Sequence, residues 1–96
     1  MKQLSGSRQS LCLFISGRIQ GVGFREWTRR QALRLGVTGW VRNETDGTVS
    51  CECYGTMEAL EAFTQALRKG PPLARVDKID IRRTSEAHAY EHFEII

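Results

Sequence analysis

The stretch Leu11-Cys12-Leu13-Phe14-Ile15-Ser16-Gly17-Arg18-Ile19-Gln20-Gly21-Val22-Gly23-Phe24-Arg25 decides how this chain is read. Leu11, Leu13 and Ile15 alternate with Cys12, Phe14 and Ser16, which predicts a strand. From Phe24 to Leu35 the period changes: Phe24, Thr28, Gln31, Ala32 and Leu35 fall on one helical face, with Trp27 beside it. Between the two runs stand Gly17, Gly21 and Gly23. A strand, a tight glycine loop and a helix N-terminus therefore follow one another. Such a helix end carries unpaired N–H donors and partial positive charge, and it attracts phosphate-like anions. Glycines let the backbone approach a ligand closely. Arg25, on the first turn, adds a planar fork of donors. The segment reads as an anion cradle formed by Gln20, Gly21, Val22, Gly23, Phe24 and Arg25. Its spacing is neither that of the P-loop nor that of the dinucleotide fingerprint. On this segment alone, glycines that only turn the chain are an equal alternative.

Working outward, Gly36 is a helix stop and Thr38 to Thr45 a second strand. Asp46-Gly47 signals a hairpin, so Thr48 to Tyr54 returns antiparallel, with Val49, Cys51 and Cys53 on one face. Thr56 caps a second helix whose inner stripe is Met57, Leu60, Phe63, Thr64 and Leu67, ended by Gly70-Pro71-Pro72. Residues 75–84, with Val76, Ile79 and Ile81, form a fourth strand, and a short strand runs near Phe93 to Ile96. The order β-α-β-β-α-β plus a terminal strand is the split βαβ, ferredoxin-like α+β sandwich. An antiparallel sheet with two helices on one face is expected. The other face stays partly open, with Phe14, Trp40 and Tyr54 on it.

Ninety-six residues, 41% hydrophobic and 26% charged, suit one domain with a modest core. Residues 1–9 are expected to be a flexible tail and 10–96 the folded unit. No apolar run approaches a membrane span, and MKQLSGSRQS lacks the apolar region of a secretory signal. A cytoplasmic location is therefore expected, and a monomer. The three cysteines have no metal spacing, and buried free thiols are expected for Cys12, Cys51 and Cys53. His88 and His92 stand four apart, but in a strand-like segment and polar surroundings, so no metal site is read there. Residues 18–42 hold six arginines and one acid, Glu26, on a chain with net charge +3. Positive charge around the glycine loop raises the local concentration of anions. Arg29, Arg30 and Arg34 are expected to form a plain solvated helix face, whereas Arg25 stands next to the loop.

A second block extends the pattern: Gly39-Trp40-Val41-Arg42-Asn43-Glu44-Thr45-Asp46-Gly47-Thr48-Val49, followed by Gly55. Together the two blocks resemble the acylphosphatase family over nearly the whole chain. Gly17 to Arg25 matches a motif of the form G-x-V-Q-G-V-x-F-R, with Ile19 where valine is usual. Gly39 to Gly55 matches G-aromatic-V-basic-N-x-x-x-G-x-V-x5-G. The resemblance implies the ferredoxin-like fold and hydrolysis of small acyl phosphates without metal or cofactor. It also implies that Arg25 binds phosphate and Asn43 orients the attacking water. Inorganic phosphate and sulfate would compete with substrate.

The residues independently suit easy rather than demanding chemistry. They offer no Ser/His or Cys/His pair and no two carboxylates placed for acid–base work. A phosphate ester, with its very slow uncatalysed hydrolysis, is a poor substrate for such a site. An acyl phosphate is already activated, and binding, charge stabilisation and a placed water suffice. Asn43 shares a face with Val41 and emerges at the layer's edge, where a strand next to the first would set it beside the loop. Standing alone, Asn43 before Asp46-Gly47 is more simply a turn-flanking residue. The Gln20 side chain is read as bracing the loop, with its backbone as the ligand. Two rivals remain at this point: an RNA-binding module, since the fold is used for that, and an anion sensor without turnover. Against the first, strand three lacks the RNA-recognition signature, and the arginines are expected on the helix side rather than on the open sheet face. No nucleic acid and no membrane partner is expected.

Overall fold

The computed structural model describes residues 7–84 and 86–96. Seven elements follow in order: β1 (Arg8–Arg18), α1 (Phe24–Leu35), β2 (Thr38–Asn43), β3 (Val49–Thr56), α2 (Met57–Lys69), β4 (Arg75–Arg83) and β5 (Phe93–Ile95). The strand order is β4-β1-β3-β2-β5. This is the ferredoxin-like sandwich, antiparallel except at one edge, where β5 runs parallel to β2 and makes the sheet mixed. β1 begins at Arg8, which pairs with Thr56, so the sheet starts two residues ahead of the expected boundary at residue 10. The expected tail otherwise falls on residues 1–6, which lie outside the described residues.

Alternation sets the two faces. Leu11, Leu13 and Ile15 of β1, Val41 of β2, and Val49, Cys51 and Cys53 of β3 are buried beneath the helices. Phe24, Thr28 and Ala32 of α1 and Leu60, Phe63, Thr64 and Leu67 of α2 cover them. Trp27 Nε1 donates to the carbonyl of Ala66, tying the two helices at 3.4 Å. Cys51 and Cys53 are buried free thiols as expected, but Cys12 is only half-buried, because its place in the alternation turns it to the opposite face. Ile81 shares the inner face with Ile79 yet is 41% exposed, since it borders an open groove beside α2. Gly17 lies in β1, at a register shift against β4, rather than in the loop. A Cβ there would sit 2.1 Å from the Arg75 carbonyl oxygen, so only glycine lets the two strands meet.

The open face carries Phe14, Trp40 and Tyr54 as expected, and also two arginines. Arg42 stacks over Trp40 at 4.9 Å and Arg82 over Phe14 at 5.2 Å. The expectation that the arginines keep to the helix side therefore fails for Arg42, which alternation sends across the sheet. The crossover from β4 to β5 passes over one end of this face. Ser10 Oγ accepts from His88 N at 2.7 Å, and Trp40 Nε1 donates to the Tyr90 hydroxyl at 3.3 Å.

Candidate active site

The two helices begin differently. The N-terminus of α2 is closed by Thr56, whose hydroxyl accepts from Ala59 N at 3.1 Å. That of α1 has Gly23 as its cap residue, left-handed at φ 82°, with no side-chain hydrogen bond. The first bond within α1 runs from Trp27 N to Gly23 O at 3.0 Å. The N–H groups before it keep their hydrogen-bonding capacity for something outside the helix. Gly21, also left-handed at φ 78°, turns the loop just ahead of them. Ile19 is buried and pins the start of the loop to the core.

These groups border a cleft of about 200 Å³ lined by Ile19, Gly21, Gly23, Phe24, Arg25 and Ile95, with Glu26 at its rim. Arg25 is half-buried, and its guanidinium has no acceptor or acidic partner among the described residues. Glu26 does not oppose it. Its carboxylate receives Arg29 at 3.0 Å and Arg30 at 3.1 Å, and these bonds, Arg29's foremost, hold its pKa below the ordinary value. Arg29 and Arg30 are thus committed to Glu26 and Arg34 to Gln31. Of the helix arginines, Arg25 alone lines the cleft.

Asn43 ends β2 on the same face as the buried Val41. It is half-buried, and its Oδ1 is a buried acceptor with no hydrogen-bond partner among the described residues. The expected adjacency of its strand to β1 does not hold, because β3 lies between them. The link to the loop is Gln20 instead. Its Nε2 donates to the carbonyls of Glu44 at 2.8 Å and Thr48 at 2.9 Å, clamping the glycine loop onto the β2–β3 turn just beyond Asn43. Asp46 shapes that turn by accepting from Thr48 N at 3.0 Å and from Thr48 Oγ1 at 2.6 Å. The structure therefore gathers Gly21, Gly23, Phe24 and Arg25 into one cleft and leaves Gln20 and Asn43 outside its lining. Val22 packs half-buried against the core.

Volume alone points elsewhere. A larger cavity, about 540 Å³ between α2 and β4, contains none of the expected residues and no helix N-terminus free of a cap. No group of His, Cys, Asp and Glu suited to a metal occurs among the described residues. His88 instead stacks on Tyr90 at 4.5 Å. Among the described residues, no helix is long and apolar enough to cross a membrane. Sequence patterning did not single out Ile95. It marks the residue as apolar strand, but only the parallel placement of β5 brings it to the cleft.

A family model described as acylphosphatase matches residues 11–95. Over 91 residues the chain is 47% identical to an acylphosphatase of Salinibacter ruber, covering 95% of this chain and 96% of that one. It is 57% identical over 74 residues to an acylphosphatase of Nitratidesulfovibrio vulgaris, covering 77% and 73%. The solved structure of an acylphosphatase from Coxiella burnetii superposes over the full length of both chains with a TM-score of 0.90 at 31% identity.

Proposed function

The chain belongs to the acylphosphatase family and hydrolyses acyl phosphates, and from that premise we propose how its residues divide the work. The substrate's phosphoryl group sits at the N-terminus of α1, its oxygens held by backbone N–H groups of residues 20–25 and by the Arg25 fork. Asn43 turns its side-chain amide to a water and aims that water at phosphorus. Water oxygen bonds to phosphorus, the bond from phosphorus to the acyl oxygen breaks, and the carboxylate leaves with the electron pair. The water's proton passes to a phosphate oxygen of the substrate, so no protein base is required. Charge stabilisation by donors already in place carries the rate. A carboxylate leaving group makes that sufficient.

The observation that carries this reading is the contrast between the helix ends: α2 capped by its own threonine, α1 left open with Arg25 in its cleft. Membership of the family disfavours both an RNA-binding role and a sensor without turnover. On this reading the protein is a cytoplasmic monomer, inhibited competitively by inorganic phosphate and sulfate. The test is phosphate release from benzoyl phosphate by purified protein. Turnover that EDTA leaves unchanged and phosphate inhibits competitively supports the assignment. Loss of turnover to EDTA, restored by zinc or magnesium, overturns it.

A further inference from the structure

Ile95 is much more exposed than its neighbour on the same face of β5. It pairs with Val41 of β2, so it faces the helix layer, as does Phe93, which pairs with Gly39. Phe93 is 5% exposed and packs edge-on against Phe63 with ring centroids 5.8 Å apart. Ile95, two residues on and on the same face, is 38% exposed. The cover ends where α1 begins, and Ile95 looks into the cleft bounded by Gly21, Gly23 and Arg25. The backbone holds it there: Ile96 N donates to the Val41 carbonyl at 3.0 Å. One wall of the cleft is thus a row of anion donors and the other an isoleucine flank. Glu26, the one acid in the lining, is turned to Arg29 and Arg30.

We infer that Ile95 is a specificity-determining residue that receives the acyl group, and that the site favours acyl phosphates with an apolar acyl body over those with a minimal one. The inference rests on the phosphate position proposed above. With the phosphoryl group against the loop and Arg25, the acyl carbon lies a bond or two away. An apolar acyl group then covers the exposed flank of Ile95 and removes apolar surface from water. An acetyl group is too short to cover it. The contact is the same in ground and transition states, so it acts on KM and leaves kcat alone.

The experiment compares benzoyl phosphate and acetyl phosphate with the unmodified protein, Ile95→Ala and Ile95→Leu. A methylene in an enclosed apolar pocket discriminates by about 10- to 200-fold, and this half-open flank places Ile95→Ala at or below the lower end, with a ~3- to 10-fold fall in the benzoyl-to-acetyl ratio of kcat/KM. The change should lie in KM for benzoyl phosphate, with acetyl phosphate turnover and phosphate inhibition near those of the unmodified protein, and with a melting temperature lowered only by the loss of the covered part of the side chain. Ile95→Leu should keep most of the ratio. An unchanged ratio overturns the inference. So does an equal loss on both substrates with a lowered melting temperature, which makes Ile95 a structural residue of β5. Turnover of both substrates by Arg25→Lys near that of the unmodified protein refutes instead the placement of phosphate on which this rests.

Discussion

Asn43→Ala should separate chemistry from folding. No group among the described residues bonds the Asn43 side chain, and its Oδ1 is buried without a partner. Truncation therefore breaks no hydrogen bond among the described residues. An unpaired buried acceptor costs about 1–3 kcal/mol, and the variant escapes that cost while losing the packing of a few atoms. The two effects oppose each other and are similar in size. The net change in stability should stay within ~1 kcal/mol, or at most about 4–8 °C in melting temperature for a domain of this size. The effect on rate is of a different order. Losing one preorganised polar group at a reacting centre lowers kcat by roughly 10²- to 10³-fold. Phosphate affinity should remain within about twofold, because a group acting on the attacking water contributes mainly in the transition state. The assay is steady-state hydrolysis of benzoyl phosphate beside calorimetric titration with inorganic phosphate and a thermal melt. A tenfold loss of phosphate affinity would move Asn43 into the cradle. A melting temperature lowered by more than ~10 °C would make it a brace of the β2–β3 turn. Turnover near that of the unmodified protein would remove it from the mechanism altogether.

Other perturbations read the neighbouring parts. Arg25→Lys keeps the charge but loses the fork, and should cost on the order of 10²-fold in kcat/KM with an unchanged melt; wild-type-like turnover would exclude Arg25 from the site. Gln20→Ala loses two hydrogen bonds, but the Glu44 carbonyl keeps Gly47 N at 3.2 Å and the Thr48 carbonyl keeps Glu44 N at 2.8 Å. The cost should therefore sit low in the range, about 1–2 kcal/mol, with kcat falling as the turn beyond Asn43 loosens; a normal melt and normal kcat together would refute the clamp. Glu26 and Asp46 have pKa values lowered in the folded protein, by Arg29 foremost for Glu26 and by the Thr48 hydroxyl foremost for Asp46. The stability they contribute is complete above the ordinary values of 4.5 and 3.8 and drains away as pH falls through the lower folded values. Melts from pH 7 to 3 should show that loss, and Asp46→Asn should flatten it; an equally steep profile in the variant would assign the loss to other groups.

The elements themselves were legible because their signals are local. Gly36, Thr56 and Gly70 end or begin helices by backbone geometry and side-chain capping that need no tertiary context. Asp46-Gly47 likewise marks its turn through the Thr48 bonds. Sheet order is not local, and there the reading failed in detail. Alternation says which face Asn43 takes, but not that β3 comes between β2 and β1, nor that β5 joins parallel. The same limit hid Ile95, whose role depends on what lies across from it. Arg42 went to the unexpected face because regional charge counting ignores the period of two. The glycine loop and Arg25 were readable as a cradle because helix-end donors come from the chain itself. The Gln20 side chain was readable as a brace of the loop, but its partners, Glu44 and Thr48, stand 24 and 28 positions away and no pattern in the sequence shows them.

The strand order also sets a timetable. Only β2 and β3 are neighbours both along the chain and in the sheet. Every other pairing must close a long loop before its contacts repay the lost entropy, which places folding toward the slow, millisecond-to-second end of the range for small domains. During synthesis the delay is longer. β2 is complete at Asn43, yet the strand that covers its outer edge ends at Ile95. At roughly 5–20 residues per second, several seconds separate the two. Through that interval the nascent chain exposes an unpaired strand edge and a cleft lacking one wall, the interval in which strand-to-strand association with another chain competes with folding.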